Sequence, residues 1–296
     1  MLRTLLSSLV LFAILAAPQA WALDVDGGGP EGDYIGRRVL QKCNTSAGNN
    51  LSGIDNRHAN GSELNVSSAI ILNAALYAMY AGNLQSNFTN LEVFIDCVPG
   101  GQNTLRGDNA LVPLDGLNRM AGLTFDSDFE ADYYITMNCG DSAGTYRFSG
   151  YFVTLPPSGG GVSTYLGSTD AAVTGSGNSL GIQFAIQNAN RDGVVAGCSP
   201  ASARDDASPA GVEFGVPLSA IGNPGGCIKV TAFINRPAHD FVSNQFMEPL
   251  PAGSCDLGDP ATVSLAAIAG DQFYVACDAP TPAVGSTWGR VKALYR

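Results

Sequence analysis

Beyond residue 22, apolar residues fall in short runs, each closed by Gly, Pro, Asn or Asp. The clearest runs are residues 69–72, 76–81, 91–97, 122–125, 132–137, 146–155, 182–187, 212–216, 228–234 and 272–276. Hardly any ten-residue window carries a 3.6-residue period, so the pattern predicts strands joined by turns rather than helices. The expected fold class is all-β: an antiparallel, jelly-roll-like β-sandwich with long loops. Asn73-Ala74-Ala75 lies between two apolar runs as a hairpin turn. Residues 76–81 carry large side chains on both faces, as a central strand requires. Residues 100–115, 156–181 and 196–210 read as long loops, the second made flexible by Gly159-Gly160-Gly161 and Gly175-Ser176-Gly177. Function on a sandwich usually sits on such loops.

The first 22 residues break the pattern. Arg3 precedes an apolar run over residues 5–17, and Ala20-Trp21-Ala22 follows with small residues at both ends. That is the layout of an export signal cleaved after Ala22, its apolar run too short to span a bilayer. The chain is thus expected to be secreted or held at the cell surface, in the extracellular or periplasmic space. Its expected organisation is a signal peptide over 1–22, a β-sandwich over 23–277, a Thr/Pro linker over 278–287 and a basic tail over 288–296. No later run is long and apolar enough to cross a membrane.

Composition sharpens this picture. Arg3 is the only charge in the signal segment, so cleavage takes the formal net charge from −11 to −12. So acidic a surface repels phosphates and leaves no footprint for nucleic acid. With 45% hydrophobic residues the chain is too apolar for disorder, and with 36 Gly and 16 Pro it is too rich in turn formers for a helical bundle. All seven cysteines lie after residue 22, and none forms a Cys-x-x-Cys pair. In an exported chain they point to disulfides, with at least one thiol left over and no pairing fixed by spacing.

Several segments carry a resemblance. The opening Leu23-Asp24-Val25-Asp26-Gly27 with Glu31-Gly32-Asp33-Tyr34 comes first. Leu76-Tyr77-Ala78-Met79-Tyr80 and Glu92-Val93-Phe94-Ile95-Asp96 follow, and Val212-Glu213-Phe214-Gly215-Val216-Pro217-Leu218 comes last. In this order they resemble the family-nine carbohydrate-binding-module and DOMON-like β-sandwich group across residues 23–277 in outline. The stretch 100–109 is also similar to one found in secreted bacterial proteins, with no activity that carries over. The resemblance implies a jelly-roll sandwich that binds sugar. Members of the group clamp a sugar ring with aromatic faces, typically Trp. Here the only Trp beyond the signal is Trp288, so a site would be built from tyrosines, with Tyr133, Tyr134, Tyr151 and Tyr165 as candidates. The same tyrosines could instead cover the edge of the core.

Three further patterns bear on chemistry. In Asp126-Ser127-Asp128-Phe129-Glu130-Ala131-Asp132, an extended backbone would put Asp126, Asp128, Glu130 and Asp132 on one face. Four carboxylates in a row would suit a calcium ion, or would mark an acidic edge strand. A second acidic group, Asp24, Asp26, Glu31 and Asp33, does not match the spacing of an EF-hand. Gly177-Asn178-Ser179-Leu180-Gly181 fits the Gly-x-Ser-x-Gly pattern of a hydrolase nucleophile, with Asp205, Asp206 and His239 following in order. The strand-like alternation of residues 182–187 argues against the helix that such an elbow needs. His58 and His239 stand apart and read as isolated imidazoles, and Arg106-Gly107-Asp108 reads as a tight turn closed by an ion pair.

The leading expectation is a secreted, non-catalytic module that binds carbohydrate or another extracellular polymer, with calcium as a candidate stabiliser. The alternative is a structural, matrix or cell-surface protein with no small ligand, and a hydrolase using Ser179 stands third. The tail from residue 285 carries three basic and no acidic side chains. As a helix it would align Trp288, Val291 and Tyr295 for docking to a partner. Alternatively it folds back onto the acidic domain. Deleting residues 285–296 is expected to leave the melting temperature unchanged and to move the protein from the cell surface to the medium. A large loss of stability with unchanged location would support folding back.

Overall fold

The computed structural model describes residues 23–28, 34, 38–47, 61–142, 145–169, 178–190, 197–201 and 210–278. The signal segment, Glu31, Asp33, His58, Asp205, Asp206 and the basic tail lie outside the described residues. Among those described, the strands are β1 (Arg38–Leu40), β2 (Glu63–Leu72), β3 (Ala75–Asn83), β4 (Asn87–Asp96), β5 (Tyr133–Ser142) and β6 (Thr145–Thr154). They continue as β7 (Ser163–Thr169), β8 (Gln183–Ile186), β9 (Gly211–Pro217), β10 (Ile228–Asn235), β11 (Val242–Met247) and β12 (Tyr274–Ala276). A single turn of α-helix, α1 (Gly116–Arg119), interrupts the connection between β4 and β5.

Two antiparallel sheets face one another, one ordered β1-β2-β3-β9-β8 and the other β11-β10-β4-β5-β6-β7, with β12 also paired to β10. Alternation explains the packing. Leu91, Val93 and Ile95 of β4 and Ile135 and Met137 of β5 point into the sandwich, against Leu76, Ala78 and Tyr80 of β3 and Phe214 of β9. The expected hairpin turn is present between β2 and β3, where Asn73 (φ 51) and Ala74 (φ 59) both adopt left-handed backbone. Two such residues match the right-handed twist of the flanking strands. As expected, β3 is the central strand of its sheet.

Several expectations need correction. Residues 122–125 form no strand: Thr124 makes isolated bridges to Thr104 and Ser264, while Leu123 and Phe125 are buried in a second core. The supposed loop 156–181 contains β7, and the Gly159–Gly161 segment is ordered by bonds from Gly159 N to Pro156 O and from Gly160 N to Asp108 O. Two disulfides form, Cys198–Cys255 and Cys227–Cys277; Cys43, Cys97 and Cys139 take no part in them. The second bridge ties the start of β10 to the end of β12. Among the described residues no helix is long and apolar enough to cross a membrane.

The outer face of the seven-stranded sheet is covered as well. Leu105, Val112, Leu117, Met120, Leu123, Phe125 and Phe129 from the β4–β5 connection, with Val263, Leu265 and Phe273, pack onto Phe94, Tyr134, Phe233 and Phe246. The rings form a chain, with Phe94 4.9 Å from both Phe125 and Tyr134, and Phe233 4.8 Å from Phe246. Side-chain amides hold the covering layer in shape. Gln102 Nε2 donates to Asn109 Oδ1 (2.7 Å) and Pro156 O (2.9 Å), Asn103 Nδ2 to Asp126 O (2.7 Å) and Phe129 O (2.8 Å), and Asn118 Oδ1 accepts from Asn109 N (2.8 Å). The Arg106–Asp108 ion pair sits on this layer with two contacts of 2.8 and 2.7 Å, exposed as expected of a turn.

Beneath that layer, β4 places Glu92 on the covered face, where it is 0% exposed. Tyr134 donates to its Oε2 at 2.6 Å, and His239 Nδ1 lies 2.6 Å from its Oε1. His239 is therefore not an isolated imidazole; α1 closes over it, and a Cβ on Gly116 would stand 2.4 Å from its Cδ2. The outer face of the five-stranded sheet has a comparable anchor. Glu213 of β9 accepts from the N–H groups of Asp26 (3.0 Å) and Gly27 (3.1 Å) and from the Tyr34 hydroxyl (2.5 Å). This lays Leu23 and Val25 onto Ile70 and Tyr77. At Gly27 (φ +78) a Cβ would lie 2.5 Å from Gln187 N, so only glycine allows that approach.

The Glu92 contact makes a prediction. Burial lowers the His239 pKa, but the Glu92 carboxylate and its hydrogen bond raise it further, to a net position above that of free histidine. The stability this contact provides is full below about pH 6.5 and is lost as pH rises through the folded-state pKa. Urea unfolding of Glu92→Gln is expected to show a loss of about 3 kcal/mol at pH 6, because the amide NH2 faces a buried donor. In His239→Ala the decline in stability between pH 6.5 and 9 should flatten.

Candidate functional site

At one end of the sandwich the chain leaves β4, enters β5 and leaves β6 within a few residues. A groove of about 260 Å³ opens there. Val98 and Pro99 form one wall and Pro156 and Pro157 the other, with Asp132, Tyr133 and Thr154 between them. The walls follow from sequence: prolines cannot extend the ladders and so end the strands at the rim. Asp132 is 7% exposed. Its Oδ2 accepts from Cys97 N (2.8 Å) and Val98 N (2.9 Å), which fixes the turn out of β4. Among the described residues no donor reaches its Oδ1. That oxygen faces Gly101 (φ +115), where a Cβ would stand 2.8 Å away.

The electrostatics of the groove are set by burial. Desolvation raises the Asp132 carboxyl to about 6 against the two backbone bonds that lower it, and Asp96 and Glu130 add to the rise. Desolvation, with Asp132 and Asp96, also pushes the adjacent Cys97 thiol up to about 12, so it is protonated at neutral pH. The Tyr133 hydroxyl is raised by the same burial and by Cys97 and Asp132. One face of the Tyr133 ring stacks on Phe152 at 5.5 Å and 22°, which holds the ring at the groove.

The four tyrosines do not share a site. Tyr133 lines the groove. Tyr134, the next residue, points to the opposite face of β5, is 0% exposed and is committed to Glu92, so its expected role in ligand binding is corrected. Tyr151 and Tyr165 pair across β6 and β7 with ring centroids 5.0 Å apart, and Tyr165 is 51% exposed. They sit on the outer face of the sheet and do not line the groove.

The row of four carboxylates is not formed. Residues 127–128 make a turn, and Phe129 N bonds back to Asp126 O. Asp126 is buried and takes Gln272 N at 2.8 Å, Asp132 turns to the groove, and Asp128 and Glu130 are exposed. Lys229 of β10 offsets the local charge: its Nζ lies 3.2 Å from Asp96 Oδ2 and 3.8 Å from Asp128 Oδ2, and it donates to Asp128 O. Among the described residues no group of three or more His, Cys, Asp or Glu is placed to hold a metal ion. Ser179 lies in an exposed turn that runs into strand β8 rather than a helix, tied by Asn178 Nδ2 to Ile182 O at 2.6 Å. His239 is occupied by Glu92.

Two other hollows lack an open aromatic face. One of about 450 Å³ is lined by Lys42, Glu248, Asp271 and Phe273, but Phe273 is 6% exposed and Lys229 sits 5.3 Å from its centroid. One of about 80 Å³ holds Phe241, whose ring is covered by the Arg236 guanidinium at 3.6 Å. Comparison with protein-family models, curated proteins and solved structures finds no match to this chain.

The raised Asp132 pKa has a measurable consequence. Between about pH 4 and 6 the unfolded chain ionises this carboxyl while the folded chain still holds the proton, so its contribution to stability falls as pH rises across that window. Denaturant titrations should show Asp132→Asn losing this part of the slope. The Asn carbonyl oxygen still accepts from Cys97 and Val98, so the variant should remain folded.

Proposed function

We propose that this chain is a non-catalytic, extracellular binding module that takes a polysaccharide into the groove at Asp132 and Tyr133. The observation that carries the reading is the juxtaposition of a groove-lining tyrosine ring with a carboxylate oxygen that no donor reaches among the described residues. Sugar C–H groups stack on a π face, and sugar hydroxyls donate to such an oxygen. Thr154 adds a hydroxyl at the same place. The two disulfides fit an oxidising compartment. The resemblance to the family-nine binding-module group points the same way, with a tyrosine taking the part that Trp typically plays in that group.

A second reading, a matrix or cell-surface protein without a small ligand, draws on the double covering of the seven-stranded sheet and its two cores. Retention on insoluble polysaccharides separates the two. The full chain is expected to be retained on at least one, and Tyr133→Leu, which keeps an apolar contact with Phe152, should weaken retention about tenfold with little change in melting temperature. Tyr165→Ala should leave retention unchanged. No retention of the unaltered chain on any polymer would favour the matrix reading.

A further inference from the structure

We infer that the groove is specific for an amino sugar, its ammonium group paired with Asp132 Oδ1 and its ring lying on Tyr133; this rests on the polysaccharide reading above. Asp132 is more than nine-tenths buried, and half of its acceptor capacity is unused. A carboxylate in that state calls for a donor, and an ionised donor satisfies it best. Among the described residues none is supplied. No basic side chain lines the groove, and the neighbouring cation, Lys229, is held by Asp96 and Asp128.

Asp96 and Glu130 add negative potential at Asp132, and Cys97 and Tyr133 are neutral at pH 7, burial raising further pKa values that already lie above 7. A neutral sugar would bring only a hydroxyl to this oxygen. A uronic acid or sulfated sugar would bring a second negative charge beside the first, at a net formal charge of −11 for the whole chain. An ammonium brings three donors and the missing countercharge, and it gains further from the face of the Tyr133 ring. A metal ion is a poorer fit, since calcium takes six to eight oxygen ligands and the groove offers one carboxylate.

The test is calorimetric titration of the full chain with glucosamine, N-acetylglucosamine and glucose oligomers of equal length. At pH 7 the glucosamine oligomer is expected to bind about tenfold more tightly than its acetylated counterpart. Asp132→Asn should abolish that preference while remaining folded. Binding of the amine should weaken as pH falls through about 6, where the ligand only becomes more fully charged, so the change reports the carboxyl. Equal binding of amine and acetyl forms would overturn the inference while leaving the polysaccharide reading intact. A preference that survives Asp132→Asn and vanishes in salt would also overturn it, tracing selectivity to the acidic surface at large. Binding of none of the three would overturn the inference, and only with no retention on any polymer would the polysaccharide reading fall as well.

Discussion

Around β4 the seven-stranded sheet is covered on both faces, and most other features of the molecule answer that constraint. A strand covered on both sides must bury whatever its alternate positions carry. In β4 those positions are Asn90, Glu92 and Phe94, so the covering layer has to satisfy a carboxylate as well as receive a ring. It does so with Tyr134 from the neighbouring strand and His239 from the β10–β11 connection. Burying Glu92 without them would cost several kcal/mol, enough to cancel much of the stability of a typical domain. The β4–β5 connection therefore behaves as a third layer, ordered by side-chain amides where a sheet would use its ladder.

The groove is a by-product of the same layering. Where the third layer begins, the chain must turn out of β4, and Asp132 makes that turn by accepting two backbone N–H groups on one oxygen. The geometry that fixes the turn leaves the other oxygen without a donor among the described residues. Structural anchor and proposed ligand acceptor are thus two atoms of one side chain. This is why the site is rigid without being elaborate: Tyr133 inherits its position from β5 and its backing from Phe152.

Sequence made the sandwich legible wherever inward positions were apolar. The Asn73-Ala74 turn, the central place of β3 and the alternation of β4 could all be read directly. It failed at β7, where Leu166 alone of the seven residues is an inward apolar side chain, and at β11, whose Asn244 and Gln245 are buried but hydrogen-bonded. Residues 122–125 misled for the opposite reason: their apolar side chains serve a loop that caps a core. At the site, Tyr133 and Tyr134 were indistinguishable because adjacent strand residues face opposite ways, and which face is covered depends on a layer no local pattern announces. Asp132 was singled out for its charge, but its neighbours in the row were drawn off by Gln272 and Lys229, partners more than 90 positions along the chain.

The Glu213 anchor has a bearing on the order in which the molecule is completed. Asp26 and Gly27 are separated from their acceptor by 187 and 186 positions, so this part of the domain, made early at the ribosome, has nowhere to rest until β9 has arrived and paired. Closing so long a loop early is entropically unfavourable, and contacts this distant in sequence form late. Until then Tyr77 and Ile70 lack the cover of the opening segment, and a half-delivered chain displays an apolar sheet face to whatever escorts it. The last stroke of folding is thus made by the oldest residues of the nascent domain, and an arrested or truncated chain would be recognisable by a loose, protease-sensitive beginning.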